Sequence, residues 1–134
     1  MVKRKLPLVH SYDKNNFDPP APVLEVSLTR PGPVSYGQMV RSPALLDSGA
    51  DMTVIPRWIA QQLQLKYVDE VCAYGYDGVP KETFVYSVKI TFDNLGDFII
   101  RTIVSDSEHI FIGRDILNKW SLFLKGPSKI FEIS

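Results

Sequence analysis

Asp47 is set apart by its neighbours. The apolar run Ala44-Leu45-Leu46 delivers its carboxylate straight into a tight Ser48-Gly49 turn, and a second β-rich run, Met52-Thr53-Val54-Ile55, follows. Gly49 lets the backbone approach closely, and Ser48 can hydrogen-bond across the loop. A loop of this kind holds a carboxylate rigidly at a strand end, which suits a catalytic acid. Asp-Ser-Gly alone is a common turn tripeptide, so the weight rests on its flanks. Other chemistries fit the same residues poorly. A nucleophile elbow needs Gly-x-Ser-x-Gly, whereas Ser48 sits in Leu-Asp-Ser-Gly-Ala, and His109 would join it only by accident of folding. A calcium loop needs acidic residues at alternate positions, which Asp47 and Asp51 do not supply. No glycine-rich phosphate loop is present.

The elements that must position Asp47 are mostly short strands. Residues 1–21 are polar and end in Asp18-Pro19-Pro20-Ala21-Pro22, so they read as an extended N-terminal arm leading to one domain over residues 22–134. Val23, Leu24, Val26 and Leu28 mark the first strand of that domain, turned by Arg30-Pro31-Gly32-Pro33. A second strand runs from about Gln38 to Leu46, and Met52 to Ile55 is a third that Pro56 stops. Trp58, Ile59 and Leu63 have helical spacing, with Pro56 at the helix start, where a missing amide costs little. Lys66 to Ala73 is a further strand, and Tyr74-Gly75-Tyr76-Asp77-Gly78 is a turn because glycine and Asp-Gly supply positive φ. From Thr83 to Phe92 the alternation places Phe84, Tyr86, Val88, Ile90 and Phe92 on one face. Phe98 to Val104 and Ile110 to Ile112 are strands, and Gly113-Arg114-Asp115 leads into a helix over Ile116 to Trp120. Leu122 to Leu124 and Ile130 to Ile133 pair around Lys125-Gly126-Pro127-Ser128 as a final hairpin. The expected class is all-β with one or two short helices and no internal repeat.

Composition bounds the function. The 134 residues suffice for one core without covalent staples. Lysine plus arginine equals aspartate plus glutamate at 15 each, which gives no basic surplus for binding nucleic acid. Cys72 is the one cysteine and there are two histidines, too few for a disulfide or a structural zinc site. No run is long enough to span a bilayer or to serve as a signal-peptide core. The expectation is a cytoplasmic protein with no metal, cofactor, nucleic acid or membrane partner.

The flanks of Asp47 carry a family resemblance. Leu45-Leu46-Asp47-Ser48-Gly49-Ala50-Asp51-Met52-Thr53-Val54-Ile55-Pro56 resembles the active-site loop of the retropepsin-like aspartic peptidases. Downstream, Ile110-Phe111-Ile112-Gly113-Arg114-Asp115-Ile116-Leu117 resembles that family's second motif, an apolar strand followed by Gly-Arg-Asp and a short helix. The two motifs stand in the family's order, and the resemblance covers about residues 22–134.

The resemblance implies a single-lobed, closed β-barrel that dimerises and hydrolyses peptide bonds. Two facing carboxylates share one proton, since both cannot ionise cheaply at close range, and their apparent pKa values belong to the pair. The ionised member takes a proton from water while the other donates to the scissile carbonyl. This chain has one such loop, so a two-fold homodimer must bring Asp47 and its symmetry mate together. The resemblance further implies that Ser48 bonds across the dimer and that the hairpin Val71 to Phe84 is a flap over a peptide or protein substrate. Ala50, Asp51, Tyr74, Gly75, Tyr76, Asp77 and Gly78 are the candidate substrate or flap residues. It also implies that Asp51 and Arg114 form a buried ion pair, whose disruption would harm assembly first. Dimer contacts are expected at the active-site loop and at the terminal hairpin, with Ile130 to Ile133. Serine at position 48, the helix around Trp58 and the terminal hairpin depart from viral members and look more like cellular, especially bacterial, stand-alone relatives. The alternative function is a retropepsin-fold dimer that binds peptides and cuts them slowly or not at all.

Overall fold

The computed structural model describes residues 6–32, 38–74 and 77–134. The turn tip Gly75–Tyr76 and the end of the turn after Arg30, from Pro33, lie outside them. Ten strands and two short helices follow one another as β1 Leu8–Ser11, β2 Val23–Thr29, β3 Val40–Leu46, β4 Val54–Pro56, α1 Arg57–Gln62, β5 Tyr67–Tyr74, β6 Pro80–Phe92, β7 Gly96–Ser105, β8 Ile110–Ile112, α2 Arg114–Leu117, β9 Leu122–Lys125 and β10 Ile130–Ile133, with a 3₁₀ turn at Gly126–Ser128.

Six strands close a barrel in the order β2-β3-β8-β4-β7-β6, with β6 returning to β2. Closure leaves no free edge within the ring. Strand β5 continues the sheet beyond β6 as one arm of a hairpin, with the register Tyr74↔Pro80 nearest its tip. Each barrel strand turns alternate residues inward, as β2 shows with Leu24, Val26 and Leu28 buried. These side chains join Ala44, Leu46, Ile55, Ile90, Ile110, Ile112 and Ile116 in one core. Leu46, Ile55 and Ile112 are therefore packing residues.

Strand β8 lies between the two arms of the Asp47 loop. It pairs parallel with β3 (Leu46↔Ile112) and antiparallel with β4 (Val54↔Phe111). The loop thus begins and ends on strands that flank a common third strand, which fixes its width. The residues of the 1–21 stretch contribute more than a leader. Leu8–Ser11 pairs with β10, and β10 pairs with β9, in a separate three-stranded sheet.

Two local expectations need correction. Phe84 is 47% exposed and packs on Tyr67, while Val85 is buried outside the main core. This half of β6 runs past the barrel with β5, so the single inward face expected from Phe84 to Phe92 holds only from Val88 onward. The second helix is Arg114–Leu117, earlier than the expected Ile116 to Trp120. Gly113 caps it, its carbonyl accepting the Ile116 (3.1 Å) and Leu117 (3.0 Å) amides, so the helix starts at the motif itself. Trp120 instead leaves the helix and packs edge-on against Phe92 and Phe98.

Candidate active site

Asp47 is half-buried at the end of β3. Its amide donates to the Ile112 carbonyl (2.9 Å), and its carbonyl accepts the Ala50 amide (3.2 Å), closing a tight turn. Carboxylate Oδ1 accepts the Gly49 amide at 3.0 Å. A Cβ on Gly49 would stand 3.2 Å from that same oxygen, so glycine here keeps the carboxylate's orientation free of a steric push. Ser48 is exposed, and its carbonyl is gripped by the Arg114 guanidinium at 2.7 Å.

The second motif clamps this loop from below. Arg114 pairs through Nη2 with Asp51 Oδ1, and its backbone amide donates to the Ala50 carbonyl (2.9 Å). The pair expected to be buried is not so within one chain, because the Asp51 side chain is 83% exposed and Arg114 is 43% exposed. Solvent screening then limits the pair to at most about 1 kcal/mol, and the guanidinium's bond to Ser48 is its more local role. Arg114→Met should therefore lower the stability of the single chain by no more than about 1 kcal/mol in urea melts. The same variant should loosen the loop, read as faster exchange of the Ala50 amide region.

Beneath the pair lies a polar network that the sequence reading did not assign. Thr53 is fully buried. Its amide donates to Asp115 Oδ2 (3.0 Å) and its hydroxyl to Asp115 Oδ1 (2.8 Å). The hydroxyl oxygen also accepts the Gly113 amide (3.2 Å). The buried Thr102 hydroxyl donates to the Thr53 carbonyl at 2.7 Å. Every polar group of Thr53 is thus satisfied, and Asp115 joins the start of β4 to the start of α2. Asp115→Ala would strand the Thr53 amide and hydroxyl in a buried place, at a cost of about 2–4 kcal/mol. We expect a lowered urea midpoint, with Asp115→Asn recovering part of it because one acceptor oxygen survives. A midpoint for Asp115→Ala equal to that of the parent would contradict the network's role.

The loop and the β5–β6 hairpin face each other across a cleft of about 430 Å³ lined by Gly49, Ala50, Asp51, Met52, Val54, Cys72, Tyr74 and Ile103. Of the expected substrate residues, the structure gathers Ala50, Asp51 and Tyr74 here. Asp77 and Gly78 are exposed at the far side of the turn, where Asp77 Oδ1 accepts the Val79 amide (3.0 Å) and Gly78 takes φ +70°. Gly75 and Tyr76 lie outside the described residues. Asp47 and Ser48 are not in the cleft wall; they stand beside it, next to Gly49. Val54 and Ile103 supply apolar wall, and Met52 and Cys72 are lining residues that carry no earlier assignment. Among the described residues no cluster of three histidine, cysteine or carboxylate side chains could hold a metal ion.

The fold is retropepsin-like. The EIAV protease, solved with an inhibitor, superposes with a TM-score of 0.57 at 23% identity, covering 82% of this chain and 93% of that one. A retropepsin-like aspartic protease from Rickettsia conorii gives 0.61 at 11% identity, covering 99% and 96%. The protease of a simian foamy virus gives 0.53 at 15% identity, covering 72% and 92%. No protein-family model matches the sequence, and no curated protein does so significantly.

Proposed function

We propose that this protein is an aspartic endopeptidase whose active site forms when two copies bring their Asp47 carboxylates together. The observation that supports this most directly is how the loop's carboxylates are spent. Asp51 is held by Arg114 and Asp115 by Thr53. Among the described residues, the Asp47 carboxylate accepts only a backbone amide from its own turn. Within the described loop and its clamp, one carboxylate is left for chemistry, and the chemistry of amide hydrolysis by this route needs two. A second copy supplies the other.

In the dimer, the two Asp47 side chains share one proton. The ionised carboxylate takes a proton from a water between them, and the resulting hydroxide attacks the scissile carbonyl. The protonated carboxyl donates to the carbonyl oxygen, then the roles reverse as the amine leaves. The flap bearing Tyr74 and the wall of Met52, Val54 and Ile103 hold the peptide and keep bulk water away. Positioning of this kind accounts for a large share of the barrier reduction.

The reading is tested by incubating the purified protein with a peptide library between about pH 3 and pH 8, the span over which such a coupled pair titrates. Products are read by mass spectrometry and assembly by sedimentation. Cleavage accompanied by a dimer supports the proposal. A protein that binds peptides and cuts none at any pH, while remaining able to dimerise, would instead be the binding module.

A further inference from the structure

We propose that His10 is a proton-sensitive latch: neutral, it locks strand β1 onto the β9–β10 hairpin, and protonation in mildly acidic solution releases that strand. The geometry is local and specific. The His10 ring stacks on Phe131 with centroids 5.2 Å apart and planes 22° from parallel, and Phe131 is fully buried. Its Nε2 is enclosed and has no hydrogen-bond partner among the described residues. His10 stands opposite Phe131 in the β1–β10 register. Strand β1 is only four residues long, and beyond the ladder its C-terminal end is tied by the Tyr12 amide on the Lys129 carbonyl (2.8 Å) and by the Tyr12 ring near Phe131.

A proton on Nε2 would place a donor and a positive charge where no acceptor stands, and an unpaired buried charge is costly. The surrounding charges offer little relief. Glu25 on β2, Arg41 on β3 and Asp93 in the β6–β7 turn line the same small cavity as His10. Arg41 already engages both carboxylates, at 3.9 Å to Glu25 and 2.9 Å to Asp93. On the hairpin side, Lys125 and Glu132 neutralise each other at 2.9 Å. Burial accordingly pushes the His10 pKa below its ordinary 6.5. The sign follows from that direction. Above 6.5 the ring is neutral in both the docked and the free strand, and docking is at full strength. As pH falls below 6.5, only the free strand takes up the proton readily, so docking weakens. Strand β1 is not one of the six barrel strands, so the barrel's own ladder does not run through this ring.

The test is amide hydrogen exchange, read as protection factors, at about pH 7.5 and about pH 5 on the full chain. Protection across Leu8–Tyr12 should be lost preferentially in acid, while amides of barrel residues Val26 and Ile90 hold. His10→Phe, which keeps the stack and cannot titrate, should abolish the drop. Equal protection at both pH values in the parent, or an equal drop in His10→Phe, overturns the proposal. The ring resonances of His10 give a second reading that needs no variant. A His10 titration midpoint at or above 6.5 would overturn it as well.

Discussion

Asp47→Asn should reduce peptide cleavage by about 10³-fold or more and leave the fold intact. The substitution is nearly isosteric, and its amide oxygen can still accept the Gly49 amide that Asp47 Oδ1 accepts at 3.0 Å. Stability should therefore stay within about 0.5 kcal/mol of the parent. What changes is the ability to ionise and to share a proton. The same variant also counts subunits. When it is mixed in equal amounts with the parent and allowed to exchange, only about one dimer in four carries two aspartates. Residual activity should settle near a quarter of the undiluted value, whereas a self-sufficient monomer would retain about half. A retained half would sink the shared site, and undiminished cleavage by Asp47→Asn alone would sink the chemistry.

The parts of the fold that were legible in the sequence are those with short-range causes. Leu24, Val26 and Leu28 alternate, and they turn inward as alternation dictates. The two motifs could be placed on strand ends because apolar runs lead directly into glycine turns. Less legible was anything set by a distant partner. Phe84 continues the alternating pattern, yet the hairpin it belongs to projects past the barrel, and the pattern carries no record of where the second layer stops. The ion pair of Asp51 and Arg114 could be expected from the motifs, but its exposure is a property of the single chain's surface. Thr53 carries one usable signal. A threonine inside the run Met52-Val54-Ile55 buries a hydroxyl, and a buried hydroxyl requires partners. The aspartate of Gly113-Arg114-Asp115 is the motif carboxylate that supplies them. Pairing of β1 with β10 was obscured by the prolines near residue 20, which dominate the local reading although Leu8–Ser11 precedes them.

Gly113→Ala is expected to be the most destabilising single-methyl change in the clamp, and the reason is contact. Gly113 has φ −88° and ψ −178°, a backbone conformation any residue adopts. A Cβ there would instead meet the Met52 carbonyl carbon at 2.5 Å, its oxygen at 2.7 Å and the Thr53 nitrogen at 2.9 Å. All three are backbone atoms of the active-site loop, so no side chain can swing aside. Relief must come from separating β8 and α2 from the loop, which strains the Gly113–Thr53 bond and the paired bonds between Thr53 and Asp115. Overpacking alone costs about 1–3 kcal/mol, and loosening buried polar bonds adds about 1–3 kcal/mol. The melting temperature should fall by roughly 10 °C or more for a chain of this size. Gly126→Ala is the matched control, since nothing lies within 4 Å of a Cβ at that position, and it should melt close to the parent. Because the displaced loop carries Asp47, whose amide donates a hydrogen bond to the Ile112 carbonyl, the Gly113 variant should also lose cleavage below its melting temperature, where the chain is still folded. A variant that melts with the parent would mean that the loop can yield, and the account of how the second motif holds the carboxylate would have to be abandoned.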